Sequence, residues 1–313
     1  MCIIKMYMRF IDLFAGIGGF HVALTRVGAK CVFACDIDDE CRKTYKENFN
    51  IDVAEDITKI DINDIPEHDI LCAGFPCQPF SVCGKQKGFC DDRGGLIFHI
   101  LNIVKHKNPK VILLENVKHL KYHGNGETLK TIIFGFEELG YKVSWKILNA
   151  KDYGIPQNRE RIILVAHRDK NFDFAKLQTS PKVALKSILD DDNNFEYLSK
   201  DEYTIIENPK EQDSGLIFIG YRNKGIRKAG VRPNTEHLSR VHKQPNRIYS
   251  SDGVHPTIPS QETAGRFFIH HNGKVRKLSI NECFKLMGFP QSFKKLAPMV
   301  SYTIKLVIPC LFQ

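Results

Sequence analysis

The sequence predicts an α/β fold, a doubly wound and mostly parallel sheet joined to a smaller, loop-rich domain. Three observations carry this expectation. From Phe10 to about Arg168, short apolar runs alternate with amphipathic stretches, the rhythm of successive βαβ units. A glycine turn spanning residues 12–20 connects the first run to the first helical stretch. Past Phe172 the rhythm weakens, and residues 221–247 set eight cations against the single acid Glu236 among Gly, Pro and Asn.

The strands are expected at residues 9–14, 31–35, 69–73, 111–114, 143–148 and 161–166, with a further candidate at about 51–54. Helical spacing of apolar residues runs through 21–27, 41–49, 96–105 and 128–139. Residues 190–213 are acidic and irregular, as in an exposed connector. A last helical pattern covers 278–287, stops at Gly288-Phe289-Pro290, and is placed back against the first domain. The expected division is 1–180 for a catalytic and cofactor domain, 181–274 for a recognition domain, and 275–313 for a returning C-terminal segment.

The chain of 313 residues carries a formal charge of +9, with 45 Lys and Arg against 36 Asp and Glu. Such an excess suits a polyanionic partner. Its first residues do not form a secretory signal, and no run is long and apolar enough to span a membrane. The ten cysteines are therefore expected reduced, in a cytoplasm. No Cys-x-x-Cys pair occurs, so no metal site is expected.

Two local patterns point to chemistry. Asp12-Leu13-Phe14-Ala15-Gly16-Ile17-Gly18-Gly19-Phe20 follows a strand and opens a helix, so backbone can approach a ligand closely. It lacks the Gly-x-Gly-x-x-Gly spacing and any phosphate-cradling Lys, which disfavours a nucleoside triphosphate. Asp36 ends the next strand about 20 residues on, where a carboxylate accepts bonds from ribose hydroxyls. A nucleoside cofactor fits both. Asp56 and Ile57 are candidates for an adenine contact, and a helix N-cap is the equal alternative for Asp56. The second pattern is Cys77, between Pro76 and Gln78 at the carboxyl end of an apolar run, which is read as a nucleophile.

Phe14-Ala15-Gly16-Ile17-Gly18-Gly19, Gly74-Phe75-Pro76-Cys77-Gln78, Glu115-Asn116-Val117 and Gln157-Asn158-Arg159-Glu160-Arg161 occur in this order. Together they resemble the DNA (cytosine-5) methyltransferases, particularly the compact bacterial restriction-modification enzymes, over nearly the whole chain. The resemblance implies a Rossmann-like fold that binds S-adenosylmethionine through Phe14, Ala15, Gly16, Ile17, Gly18, Asp36, Ile37, Asp56, Ile57, Gly74, Pro76 and Leu96. It implies Cys77 as nucleophile and Glu115 as the acid at ring nitrogen 3. Arg159 and Arg161 alternate at strand spacing and so share one face; Arg161 is expected on the cytosine carbonyl oxygen and Arg159 on the catalytic loop or Glu115.

Duplex DNA is the expected partner. Gln78, Ser81 and Lys85 are placed on the loop over a flipped base, and Arg222, Lys224, Arg227 and Arg240 on the recognition surface. A functional pairing with a restriction endonuclease, without a stable complex, is expected of a monomer. The tail, residues 301–313, lacks the Gly-Asn centre that such enzymes carry there. Two alternatives follow: a DNA-binding homologue with impaired turnover, and a tRNA cytosine-5 methyltransferase.

Overall fold

A computed structural model of the chain describes residues 7–76, 95–191, 195–223, 235, 237–258 and 267–296. In chain order the first region contains β1 (Arg9–Leu13), α1 (Gly19–Arg26), β2 (Lys30–Cys35), α2 (Asp39–Phe49), β3 (Val53–Ala54) and β4 (Ile70–Ala73). It continues with α3 (Leu96–Lys107), β5 (Val111–Val117), α4 (Glu127–Glu138), β6 (Lys142–Asn149), β7 (Gln157–Asn158) and β8 (Glu160–His167). After these come β9 (Tyr203–Ile205), β10 (Phe218–Arg222), β11 (Arg247–Ser250), β12 (His255–Pro256), β13 (Phe268–His271), β14 (Lys274–Lys277) and α5 (Ile280–Leu286).

Seven strands form one sheet in the order β3-β2-β1-β4-β5-β8-β6. The pairs from β3 to β5 are parallel, and β8 runs antiparallel to both of its neighbours. After β3 the chain crosses to the far side of β1, so strand order reverses between β1 and β4. Ligands of open α/β sheets settle outside the carboxyl ends of the strands at such a reversal.

Both faces of this sheet are covered. Ile11, Leu13, Leu71, Ile112 and Leu114 pack with α3 and α4 through Ile100, Val104, Ile132 and Phe136. Phe10, Cys72, Leu113 and Ile163 pack on the other face with Phe20 and Leu24 of α1 and Cys283, Phe284 and Leu286 of α5. Alternation along each strand sends neighbours to opposite faces. Helix α5 thus packs on this face of the first sheet.

The second region is organised by a five-stranded sheet, β14-β13-β11-β10-β9, in which only β11 and β13 run parallel. Phe218, Tyr221, Tyr249 and Phe267 form one apolar cluster on it, and Ile219, Ile248, Phe268 and Val275 another. Among the described residues, a short 3-10 turn at Lys200–Glu202 leads into β9, and two more at Ser239–Val241 and Gln244–Asn246 lie between β10 and β11. β14 crosses the limit expected at residue 274. Gly220 sits where a Cβ would fall 2.3 Å from the Thr204 carbonyl oxygen, so a side chain there would push β9 away.

Candidate active site

The glycine turn leaves β1 through Phe14 (φ 54°), Gly16 (φ 56°) and Gly18 (φ 92°), three left-handed residues within five. Its amides are anchored to the next strand. Ala15 N–H donates to the Cys35 carbonyl at 3.0 Å, and Gly16 N–H donates to Asp36 Oδ2 at 2.7 Å. Asp36 Oδ1 accepts from Asp38 N–H at 2.9 Å. The carboxylate is buried with spare lone pairs on both oxygens. Beside it Ile37 is 73% exposed, an apolar side chain positioned to be covered by a ligand.

Asp56 Oδ1 accepts from the amide and hydroxyl of Thr58 at 3.0 and 2.8 Å, and Oδ2 faces Lys59 at 3.3 Å. No helix follows Asp56 directly, so its carboxylate caps a turn at residues 57–59 and not a helix, with Ile57 buried next to it. Those Thr58 bonds hold the Asp56 carboxyl below its ordinary range. Gly74 is buried and Pro76 exposed at the carboxyl end of β4, and Leu96 opens α3 half-buried. The adjacency of β3, β2, β1 and β4 brings all of these to one edge of the sheet.

At the next strand Glu115 is 5% exposed, and its Oε1 lies 2.8 Å from Arg161 Nε. The β5–β8 register sets Glu115 opposite Ile163 and Val117 opposite Arg161. Leu113 and Ile163 belong to the α1–α5 face, so alternation directs Glu115 and Arg161 to that same face. Arg159 is 4% exposed. Burial and Arg161 push its guanidinium pKa down, while Glu115 pushes it up. Arg159 N–H donates to Asn149 Oδ1 at 2.9 Å, and Asn149 Nδ2 donates to Asn158 Oδ1 at 2.7 Å.

Asn116 Nδ2 donates to the Phe75 carbonyl at 3.0 Å, tying the strand that carries Glu115 to the chain two residues before Cys77. Gln157, fully buried, donates through Nε2 to the Leu286 carbonyl at 3.3 Å, which fixes β7 against the end of α5. Thr257 Oγ1 donates to the Asn158 carbonyl at 2.7 Å. Asn116 and Gln157 lie inside the motifs quoted above, but their supporting bonds and that of Asn149 are set by pairing across the chain, which no local pattern signals.

Cys77, Gln78, Ser81, Lys85, Lys224 and Arg227 lie outside the described residues, as does the tail from 297. Arg222 ends β10 with its guanidinium 5.0 Å from the Phe268 ring centre and 3.6 Å from Glu202. Asn223 is engaged with Thr204 and the Asp201 carbonyl, each at 2.7 Å. Arg240 is exposed in a short 3-10 turn. Among the described residues no group of three His, Cys, Asp or Glu could hold a metal ion, and no helix is long and apolar enough to cross a membrane.

The carboxyl ends of β1 and β2 thus gather the glycine turn, Asp36 and Ile37, and in the same sheet β5 and β8 set a buried carboxyl against a guanidinium. Residues 8–301 match the family model of the C-5 cytosine-specific DNA methylase. Type II methyltransferase M.HhaI of Haemophilus parahaemolyticus is 41% identical over 298 residues, covering 92% of this chain and 85% of its own. Type II methyltransferase M.DsaV of Dactylococcopsis salina is 38% identical over 304 residues, covering 92% and 78%. The crystal structure of S. pombe Dnmt2 methyltransferase superposes with TM-score 0.63 at 19% identity, over 98% of this chain and 92% of that one; it shares the fold.

Proposed function

This chain belongs to the C-5 cytosine-specific DNA methylase family, and from that premise we propose how its own residues methylate carbon 5 of cytosine. It is a DNA cytosine-5 methyltransferase, and S-adenosylmethionine is its methyl donor. The buried Glu115–Arg161 pair, joined through Asn116 to the backbone leading into Cys77, is the observation that carries the residue roles.

Carbon 5 of cytosine is a poor nucleophile within an aromatic ring. Addition of the Cys77 thiolate to carbon 6 converts the ring to an enamine, whose carbon 5 is nucleophilic, and splits one hard step into easier ones. Bound S-adenosylmethionine supplies an electrophilic methyl on a sulfonium. Phe14 to Gly18, Asp36 and Ile37 would hold it, Asp36 as an acceptor for ribose hydroxyls and Ile37 as an apolar cover for the adenine. As sulfur bonds to carbon 6, electron density moves to ring nitrogen 3, where Glu115 delivers a proton.

Arg161 faces Glu115 through Nε and donates through Nη1 to the Glu160 carbonyl at 2.8 Å, which leaves Nη2 for the cytosine carbonyl oxygen. Arg159, buried behind them, adds positive potential that favours negative charge on the ring. Once carbon 5 carries the methyl, water removes its proton, the Cys77–carbon 6 bond breaks to return the thiolate, and ring nitrogen 3 gives its proton back to Glu115. A base inside a duplex is out of reach, so the target is flipped out, with Gln78, Ser81 and Lys85 above it. Lys224, Arg227 and Arg240 face DNA, and Arg222 supports that surface from β10. The relatives' Type II designation supports an enzyme that guards DNA against a partner endonuclease.

Transfer of tritiated methyl groups to duplex DNA and to tRNA tests this reading. The expected result is label on duplex DNA alone. Label on tRNA alone would replace the substrate, and duplex binding without label would leave a homologue that binds and does not turn over.

A further inference from the structure

Helix α2 is capped locally at its start and held at its end by distant parts of the chain. At its start the Asp38 side chain accepts from Cys41 N–H at 2.9 Å, and Asp38 N–H donates to Asp36 at 2.9 Å. At its end Phe49 closes one side of Gly18, where a Cβ would fall 2.2 Å from Phe49 Cε2. The Phe49 ring stacks on His21 at 3.8 Å and 13°, and meets Phe293 at 6.1 Å and 61°. Phe293 is 5% exposed and packs with Phe284 and Phe289.

Asn48 clasps the backbone after α5 in both directions. Its Nδ2 donates to the Lys294 carbonyl at 2.9 Å, and its Oδ1 accepts from Lys294 N–H at 2.7 Å. The other amide hydrogen goes to the Thr44 carbonyl at 2.8 Å, so the side chain's donors are fully used. Arg26, ending α1, donates to the Gly288 carbonyl at 3.2 Å. The Lys294–Glu47 ion pair at 2.6 Å is exposed on both sides and adds little.

Resting on the assignment of the glycine turn to S-adenosylmethionine, we propose that residues 288–294 buttress the cofactor site. Asn48 and Phe293 are positioning residues that hold Phe49 against Gly18. The eleven-residue α2 carries the glycine turn's packing wall at one end and the Asp36 loop at the other. A shift of this rigid helix therefore moves both walls of the pocket together. Residues 288–294 act on the cofactor through α2.

Calorimetric binding of S-adenosylmethionine to the full chain tests this, with thermal unfolding of each variant alongside. Asn48→Ala combined with Phe293→Ala is expected to raise the cofactor Kd about tenfold through lost hydrogen bonds and packing, with duplex-DNA affinity unchanged. Phe293→Leu, which keeps most of the bulk, should recover most of the affinity. Leu129→Ala, on the opposite sheet face, should lower the Tm and leave the cofactor Kd unchanged. An unchanged cofactor Kd in the folded double variant overturns the inference, as does equal weakening by Leu129→Ala. A wild-type chain that binds no S-adenosylmethionine overturns the glycine-turn assignment itself.

Discussion

Glu115 Oε1 stands 2.8 Å from Arg161 Nε although neither residue faces the other directly in the strand pair. The contact is diagonal, between side chains 7% and 14% exposed, so it is shielded from salt and water more than a surface pair. A pair so placed serves orientation before stability, because desolvation offsets most of the Coulombic gain. The carboxyl is pinned at the end of β5, beside the strand that leads to Cys77.

Glu115→Gln keeps the shape and removes the acid. The single-turnover methylation rate should fall by about 10²- to 10³-fold, with S-adenosylmethionine affinity unchanged in an equilibrium binding measurement. Retained rate would take Glu115 out of the proton transfer.

Asn116→Ala removes the tether on the Phe75 carbonyl. A buried hydrogen bond contributes about 1 kcal/mol net, so chemical unfolding should shift little. The methylation rate should drop about fivefold, that same energy expressed as lost alignment of Cys77.

Much of this site is legible in the sequence because its parts are local. Val111 to Leu114 form an apolar run that ends in Glu115 and Asn116, so a strand delivering a carboxyl to the sheet edge can be read directly. Strands β1, β4 and β8 lie within about two residues of their expected bounds for the same reason. The parts that escape are set by pairing across the chain. The second sheet joins strands of three to five residues, with a bulge between Phe218 and Gly220 and charges within Lys274–Lys277. No window there shows clean alternation. Asn149 reaches Arg159 only because β6 and β8 are neighbours, and Arg222 is drawn to Phe268 and Glu202 by a fold that its local cationic context does not announce.

Arg276 and Glu282 form a buried two-bond pair, both contacts 2.7 Å, with side chains 3% and 0% exposed. Glu282 also caps α5 through Ser279 and accepts from Asp190 N–H at 2.9 Å. Arg276→Met leaves this carboxylate buried without its cation and should cost about 3–5 kcal/mol. Urea unfolding measures it.

His21 and His255 are buried, and burial lowers each pKa to about 4 from an ordinary 6.5. Below pH 6.5 the unfolded chain takes up protons that the folded chain refuses. Their stabilisation is therefore complete above pH 6.5 and is lost as pH falls toward 4, by up to about 3 kcal/mol for each residue. Urea midpoints at pH 7.5 and 4.5 should differ in that direction, and His21→Phe should reduce the difference.

The most direct test of the account is transfer of tritiated methyl from S-adenosylmethionine to duplex DNA by the wild-type chain and by Cys77→Ser, with the product mapped by bisulfite sequencing. The account predicts label on carbon 5 of cytosines within one short recurring motif for the wild type, and none for Cys77→Ser, which still binds the cofactor. Label of equal rate from Cys77→Ser, or label on an exocyclic amine, would contradict it.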